Sequence, residues 1–211
     1  MDATKLWFST PDTHTLCRAG GNGPEHPSQL YAIRKYVKAH QSFLDYGCGS
    51  ATTFEALQTH LPYLSLKYRG LDIIPKNIQW CKENYPKGEW KVNNKIHKID
   101  EPDQSWDVVY SRHVIDHMES FEKAMDEHLR VSKDLVIAVF WVPMATTDEH
   151  DVKHIVDQGH VYVNEYTNSY SRKKVMEYLE SKKEGWKLLE LTEEIGTEVK
   201  GHDWAIVMKR K

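Results

Sequence analysis

The residues able to do chemistry gather in three short stretches. In FLDYGCGSATTF, residues 43–54, an apolar run ends at Asp45 and passes into Gly47-Cys48-Gly49-Ser50. Glycines at such a turn let a backbone approach a ligand where a Cβ would collide, and a helix starting there offers unpaired N–H groups. The spacing is not that of a dinucleotide loop, because Thr52 stands where G-x-G-x-x-G needs its third glycine, and Gly-Lys-Ser/Thr of a Walker loop is absent. A carboxylate two residues before the first glycine repels phosphate and pairs with an amino group. Asp45-x-Gly47-x-Gly49 therefore fits a ligand with a positive centre and no pyrophosphate. The second stretch ends at Asp72, an acid placed to accept hydrogen bonds from ribose hydroxyls, with Ile73 beside it to pack on an adenine face. The third is Ser111-Arg112-His113, followed by His117. A neutral imidazole can take an acceptor's proton, and Arg112 suits an anionic acceptor. The competing reading makes these histidines caps or hydrogen-bonded structural groups.

Other candidates are weaker. His150 and His154 have helical ligand spacing and His160 follows, but residue 151 is Asp, so H-E-x-x-H is absent and no feature supplies a third ligand. A polar surface loop is the preferred reading, and no metal is expected. Cys48 reads as a small filler between glycines rather than a nucleophile. Cys17, Cys48 and Cys81 are odd in number and contain no CxxC pair, which fits a reducing compartment and a cytoplasmic protein.

These stretches need a scaffold. The chain has 211 residues, enough for one domain with a buried core. Lys plus Arg is 28 against 31 Asp plus Glu, for a net charge of −3, so bulk charge gives no nucleic-acid footprint. No apolar run reaches the length of a membrane helix, and the N-terminus has no secretory pattern. Strand and helix signals alternate from residue 28 onward. A helix is expected from Pro27 or Ser28 to Ala39, and strands at 43–46, 68–74, 89–92, 106–111 and 135–142. Helices are expected at 52–61, 75–85, 119–131 and 171–181, and two final strands at 186–191 and 204–208. This alternation predicts a mostly parallel α/β sheet with helices on both faces. The last two strands, joined without a helix, are expected to be antiparallel neighbours. Residues 1–27 read as an irregular arm and 143–170 as a polar, histidine-rich connection, a candidate lid carrying Tyr162, Tyr166 and Tyr170. Trp106, Trp141, Trp186 and Trp204 read as sheet packing.

Taken together, DYGCGS, YRGLDIIPKNIQWCKENYP (residues 68–86) and SWDVVYSRHVIDHMES (residues 105–120) resemble the class I S-adenosylmethionine-dependent methyltransferases, in their small-molecule branch. The resemblance spans residues 28–211. It implies a Rossmann-like, seven-stranded, mostly parallel sheet with an antiparallel last strand. It implies S-adenosyl-L-methionine as cofactor, with Asp45, Gly47, Cys48 and Gly49 around the methionine part and Asp72 and Ile73 at the nucleoside. Asn93 or Asn94 would lie near the adenine amino group, where the family more often has aspartate. Ser111, Arg112 and His113 would flank the methionine and the acceptor. The implied reaction is methyl transfer to a small polar acceptor, as O-methylation if His113, or second His117, serves as base. Alternatives are an RNA or protein acceptor and a non-catalytic nucleoside-binding scaffold. The Asn/Asp-Pro-Pro-aromatic string of nucleic-acid amino methylation is absent after the fourth strand.

Overall fold

The computed structural model describes residues 23–95, 98–155, 165–195 and 203–211. Seven strands form one sheet in the spatial order β3-β2-β1-β4-β5-β9-β8. These are β1 (Ser42–Tyr46), β2 (Lys67–Asp72), β3 (Glu89–Val92), β4 (Trp106–Arg112), β5 (Ser132–Phe140), β8 (Trp186–Ile195) and β9 (Asp203–Arg210). The pairings among β1 to β5 are all parallel. β9 runs antiparallel to both β5 and β8. This is the Rossmann-like arrangement, with the order reversing between β1 and β4, where ligands bind open α/β sheets.

Helices cover both faces. On one side lie α1 (Tyr31–Tyr36), α2 (Thr52–His60) and α3 (Pro75–Asn84). They bury Ile33, Phe54, Leu57 and Ile78 against Phe43, Val108, Tyr110 and Ile137. On the other side lie α4 (Phe121–Val131) and α5 (Arg172–Ser181). Their Phe121, Met125, Leu129, Val175 and Leu179 pack on Leu44, Val109, Val136 and Ile206. Residues alternate between the two cores along each strand because the side-chain period of a strand is two. That alternation puts Asp45, Arg112 and Asp203 on the face of α1 to α3, at the end of the sheet where β1 and β4 finish and β9 begins.

Three expectations change. The helix expected from Pro27 to Ala39 is a 3₁₀ turn, Pro27–Gln29, followed by α1 alone. Val37 is already extended, His40 is left-handed, and its N–H donates to Leu64 O at 2.7 Å, so tertiary bonding turns the chain toward β1. The connection at 143–170 is not irregular throughout. It contains an antiparallel pair, β6 (Asp151–Ile155) and β7 (Glu165–Ser169). This pair is anchored from below, since Asn168 Nδ2 donates to Met118 O at 2.5 Å and Tyr170 Oη donates to Ile115 O at 2.7 Å. Trp141 lies beyond the end of β5 and is 41% exposed, whereas Trp106, Trp186 and Trp204 are buried as sheet packing requires. The arm at 1–22, with Cys17, and the 156–164 segment, with His160 and Tyr162, fall outside the described residues.

Candidate active site

The glycine loop is shaped by backbone angles. After β1 the chain is left-handed at Gly47 (φ 75°), Gly49 (φ 52°) and Ala51 (φ 62°). That region costs a residue with a Cβ roughly 1–2 kcal/mol. At Gly47 there is a second reason, because a Cβ there would stand 2.3 Å from Val114 Cγ2. The loop N–H groups turn toward β2 instead of standing free. Those of Gly47 and Cys48 donate to Leu71 O at 2.8 and 2.9 Å, and that of Gly49 donates to Asp72 Oδ2 at 2.9 Å. Asp72 Oδ1 accepts from Ile74 N–H at 2.8 Å and from Asn77 Nδ2 at 3.4 Å. Asp72 therefore clamps the loop to the start of α3. Burial pushes its carboxyl above the usual carboxylate range, against the pull of these donors. Cys48 is a buried filler whose thiol is pushed up by burial, and Cys81 Sγ donates to Gly49 O at 3.3 Å.

Asp45 is buried at the end of β1. It accepts a 2.6 Å hydrogen bond from Tyr68 Oη and is bonded by Thr53. Burial pushes its carboxyl up to about 7, while Tyr68, Thr53 and the charge of Arg112 pull the other way. An arriving ammonium group would favour the ionised form.

At the end of β3, Asn93 closes its own loop. Its Nδ2 donates to Lys95 O at 2.5 Å and Lys98 O at 3.0 Å, and its Oδ1 accepts from Asp100 N–H at 2.8 Å. Asn94 is exposed and donates to Asp100 Oδ2 at 3.2 Å. Of the two asparagines, Asn94 has the side chain open to a ligand, and Asn93 sets the loop that presents it. Ile73 is half-buried between the end of β2 and α3.

The end of β4 gathers the most chemistry. Ser111 Oγ is buried with no hydrogen-bond partner among the described residues. Arg112 Nε donates to Ser28 Oγ at 3.0 Å, and burial lowers its pKa while Asp203 and Asp45 oppose that shift. His113 is left-handed at φ 56°, and its N–H donates to Val139 O at 2.9 Å. Its Nε2 lies 2.7 Å from Asp203 Oδ2. Burial pulls its pKa down to about 4, with Asp203 raising it and Arg112 and His26 lowering it. The imidazole is therefore neutral at pH 7. His26 lies edge-on to His113 at 6.0 Å between centroids, and its Nδ1 is 2.8 Å from Ser28 Oγ. His117 ends the 3₁₀ turn Ile115–His117, with its ring 6.0 Å from that of Trp141. The neighbouring Asp116 is fully buried.

Among the described residues no group of His, Cys, Asp and Glu is arranged to hold a metal ion. His150 Nδ1 accepts from Ser171 N–H at 3.0 Å and supports the start of α5. Tyr170 is buried and donates its hydroxyl to Ile115 O. Sequence reading missed Asp203 and His26 as members of the site. Asp203 directly precedes the apolar strand Trp204–Met208, but only the pairing of β9 with β5 carries it to the end of β4.

Residues 44–140 match a family model described as a methyltransferase domain. With the seven-stranded order above, the chain has the fold of the class I S-adenosylmethionine-dependent methyltransferases, and S-adenosylmethionine is the cofactor of that class. Similar solved structures share the fold along nearly their whole length. A SAM-dependent methyltransferase from Aquifex aeolicus is 17% identical, with 99% of this chain and 98% of that one covered and a TM-score of 0.58. An S-adenosylmethionine-dependent methyltransferase from Mesorhizobium loti is 13% identical, with 89% and 100% covered and a TM-score of 0.66. A chain from the complex between the Haloferax volcanii Trm112 methyltransferase activator and a methyltransferase is 14% identical, with 99% and 98% covered and a TM-score of 0.69. No curated protein matches the sequence.

Proposed function

We propose that this methyltransferase acts on a hydroxyl group of a small polar acceptor, with His113 taking the hydroxyl proton. The observation that carries the reading is a neutral imidazole at the end of β4, beside the strand-order reversal and bonded to a buried carboxylate. The residues around the glycine loop fit the cofactor of the class. Ser111 Oγ is a buried polar atom with no partner, Gly47 and Gly49 hold an angle that sets the loop, and Asp45 is a carboxyl able to pair with an amino group. Asp45, the Gly47–Gly49 loop with Cys48, Asp72, Ile73, Asn94 and Ser111 would hold S-adenosylmethionine. When bound, it supplies a methyl carbon on a positively charged sulfur, which departs with the electron pair of the breaking carbon–sulfur bond.

The chain's own part is alignment, exclusion of water and proton transfer. As the acceptor oxygen bonds to the methyl carbon, its proton passes to the His113 ring and later to solvent. Arg112 is already engaged with Ser28 and lies near Asp203 and Asp45. It organises the acceptor side and lends positive charge to an acceptor with an anionic group. A second reading is an RNA or protein acceptor; a chain of the same fold occurs in complex with a methyltransferase activator, which keeps a protein partner in view.

The test is a screen of small alcohols, phenols, carboxylates and amines with isotopically labelled S-adenosylmethionine, followed by mass mapping of the methyl group. Label on a hydroxyl, lost about 100-fold or more in His113→Ala, is the expected result. Label on a carboxylate or amine, or near-normal turnover in His113→Ala, overturns the reading.

A further inference from the structure

We propose that Asp203 is the positioning residue of this site: it holds His113 as the Nε2–H tautomer, so that Nδ1 is the atom that receives the acceptor's proton. This deepens the preceding reading and rests on it for the role of His113. The argument starts from donors and acceptors. Asp203 sits at the first residue of β9, with its side chain only 4% exposed, and Oδ2 is 2.7 Å from His113 Nε2. Hydrogen bonds from His113 and Ser28 and the nearby charge of Arg112 hold its carboxyl below the usual carboxylate range. An ionised carboxylate can only accept. The proton on that contact must therefore sit on Nε2, and in a neutral ring the lone pair is then on Nδ1. Among the described residues Nδ1 takes no hydrogen bond.

The backbone supports the same geometry. His113 is a non-glycine residue in the left-handed region, a conformation that persists only where the surroundings hold it. Two bonds hold it, from its N–H to Val139 O and from its ring to Asp203. These come from β5 and β9, the two strands beyond β4, so the ring is braced across three adjacent strands. The groups facing it are Asp203 on β9, Arg112 on its own strand, and His26 and Ser28 in the segment before α1. Asp203 is the group among them that stabilises the imidazolium formed when Nδ1 takes a proton. Asp203 thus favours acceptors that must lose a proton, alcohols or phenols, over carboxylates that are already ionised.

The experiment is nitrogen-15 NMR of the histidine rings in the full-length protein at pH 7, with His113 assigned from the signal missing in His113→Gln. The expected result is a single His113 tautomer, protonated at Nε2. Asp203→Asn presents an amide that can donate to Nε2, and is expected to give a mixture or the Nδ1–H form. Asp203→Glu is expected to restore the wild-type tautomer. With an acceptor from the screen, Asp203→Asn should lower kcat by about 100-fold with little change in KM, and move the acid limb of the rate profile to lower pH, because the carboxylate that raises the His113 pKa is gone. An Nδ1–H His113 in the wild type, or an unchanged tautomer in Asp203→Asn, overturns the proposal. The wild-type spectrum decides alone if Asp203→Asn does not fold. The readouts separate the two readings. Full activity in His113→Ala removes the base itself, whereas the tautomer reports on Asp203 with no acceptor present.

Discussion

Gly47→Ala is the sharpest test of how the glycine loop is built. The new Cβ would lie 2.3 Å from Val114 Cγ2, 3.1 Å from Cγ1 and 3.3 Å from Cβ. Carbon atoms in ordinary contact are about 3.5–4.0 Å apart, so Val114 must move by more than about 1 Å. Overpacking of that kind costs about 1–3 kcal/mol. The left-handed φ of 75° adds about 1–2 kcal/mol. The sum is about 2–5 kcal/mol, within the stability of an ordinary domain, so the variant should fold and be measurable. Val114→Ala removes both colliding γ carbons. The double variant should therefore recover the steric part and keep the backbone part, a coupling of about 1–3 kcal/mol in a double-mutant cycle. Urea denaturation measures all four proteins. Calorimetry with S-adenosylmethionine should show weaker binding to Gly47→Ala, because the loop packs on Val114 and must shift when that side chain moves. The reasoning fails if Gly47→Ala loses less than about 0.5 kcal/mol, or if the two substitutions are additive within about that amount.

Asp72→Ala removes the acceptor for the buried N–H groups of Gly49 and Ile74, and should lose about 2–4 kcal/mol of stability along with at least tenfold in S-adenosylmethionine affinity. Wild-type stability in that variant would show that Asp72 is no clamp. Asp116 is fully buried and its carboxyl is pushed up to about 7, chiefly by burial, with backbone bonds from Trp141 and Val142 opposing. The folded state thus keeps a proton that the unfolded chain releases near pH 4, and stability from this group falls as pH rises from about 4 to about 7. Asp116→Asn should be more stable than wild type by about 2–4 kcal/mol at pH 8 and show no gain at pH 4. A gain independent of pH in urea titrations would remove the buried charge as its cause.

The parts of this protein that were legible in the sequence are those where local pattern and buried position coincide. β3 runs over Glu89–Val92 as expected, since a short run between Gly88 and the polar 93–95 stretch leaves little choice. The α3 start at Pro75 follows from a proline suited to a first helical turn, and α4 and α5 end at Val131 and Ser181 as expected. The Gly-x-Gly turn was legible for a related reason, since left-handed backbone favours glycine wherever it occurs. What was lost is what depends on distant partners. α1 is shorter than its helical pattern because Leu64 captures the His40 N–H. The β6–β7 pair was hidden because its strands are short and polar, and are anchored through Asn168 to the turn after β4.

The sequence by itself determined the strand and helix alternation, the glycine turn, the acids at the ends of β1 and β2, and the polar set after β4. These are encoded by residues close together in the chain, through periodicity and backbone preference. Only the tertiary structure decided what those residues touch. It gave Asp72 to the loop rather than leaving both oxygens open, and turned Asn93 inward. It also brought Asp203 across β5 to the His113 ring. A chain 90 residues long separates those two side chains, and no local pattern reports a contact made by strand order.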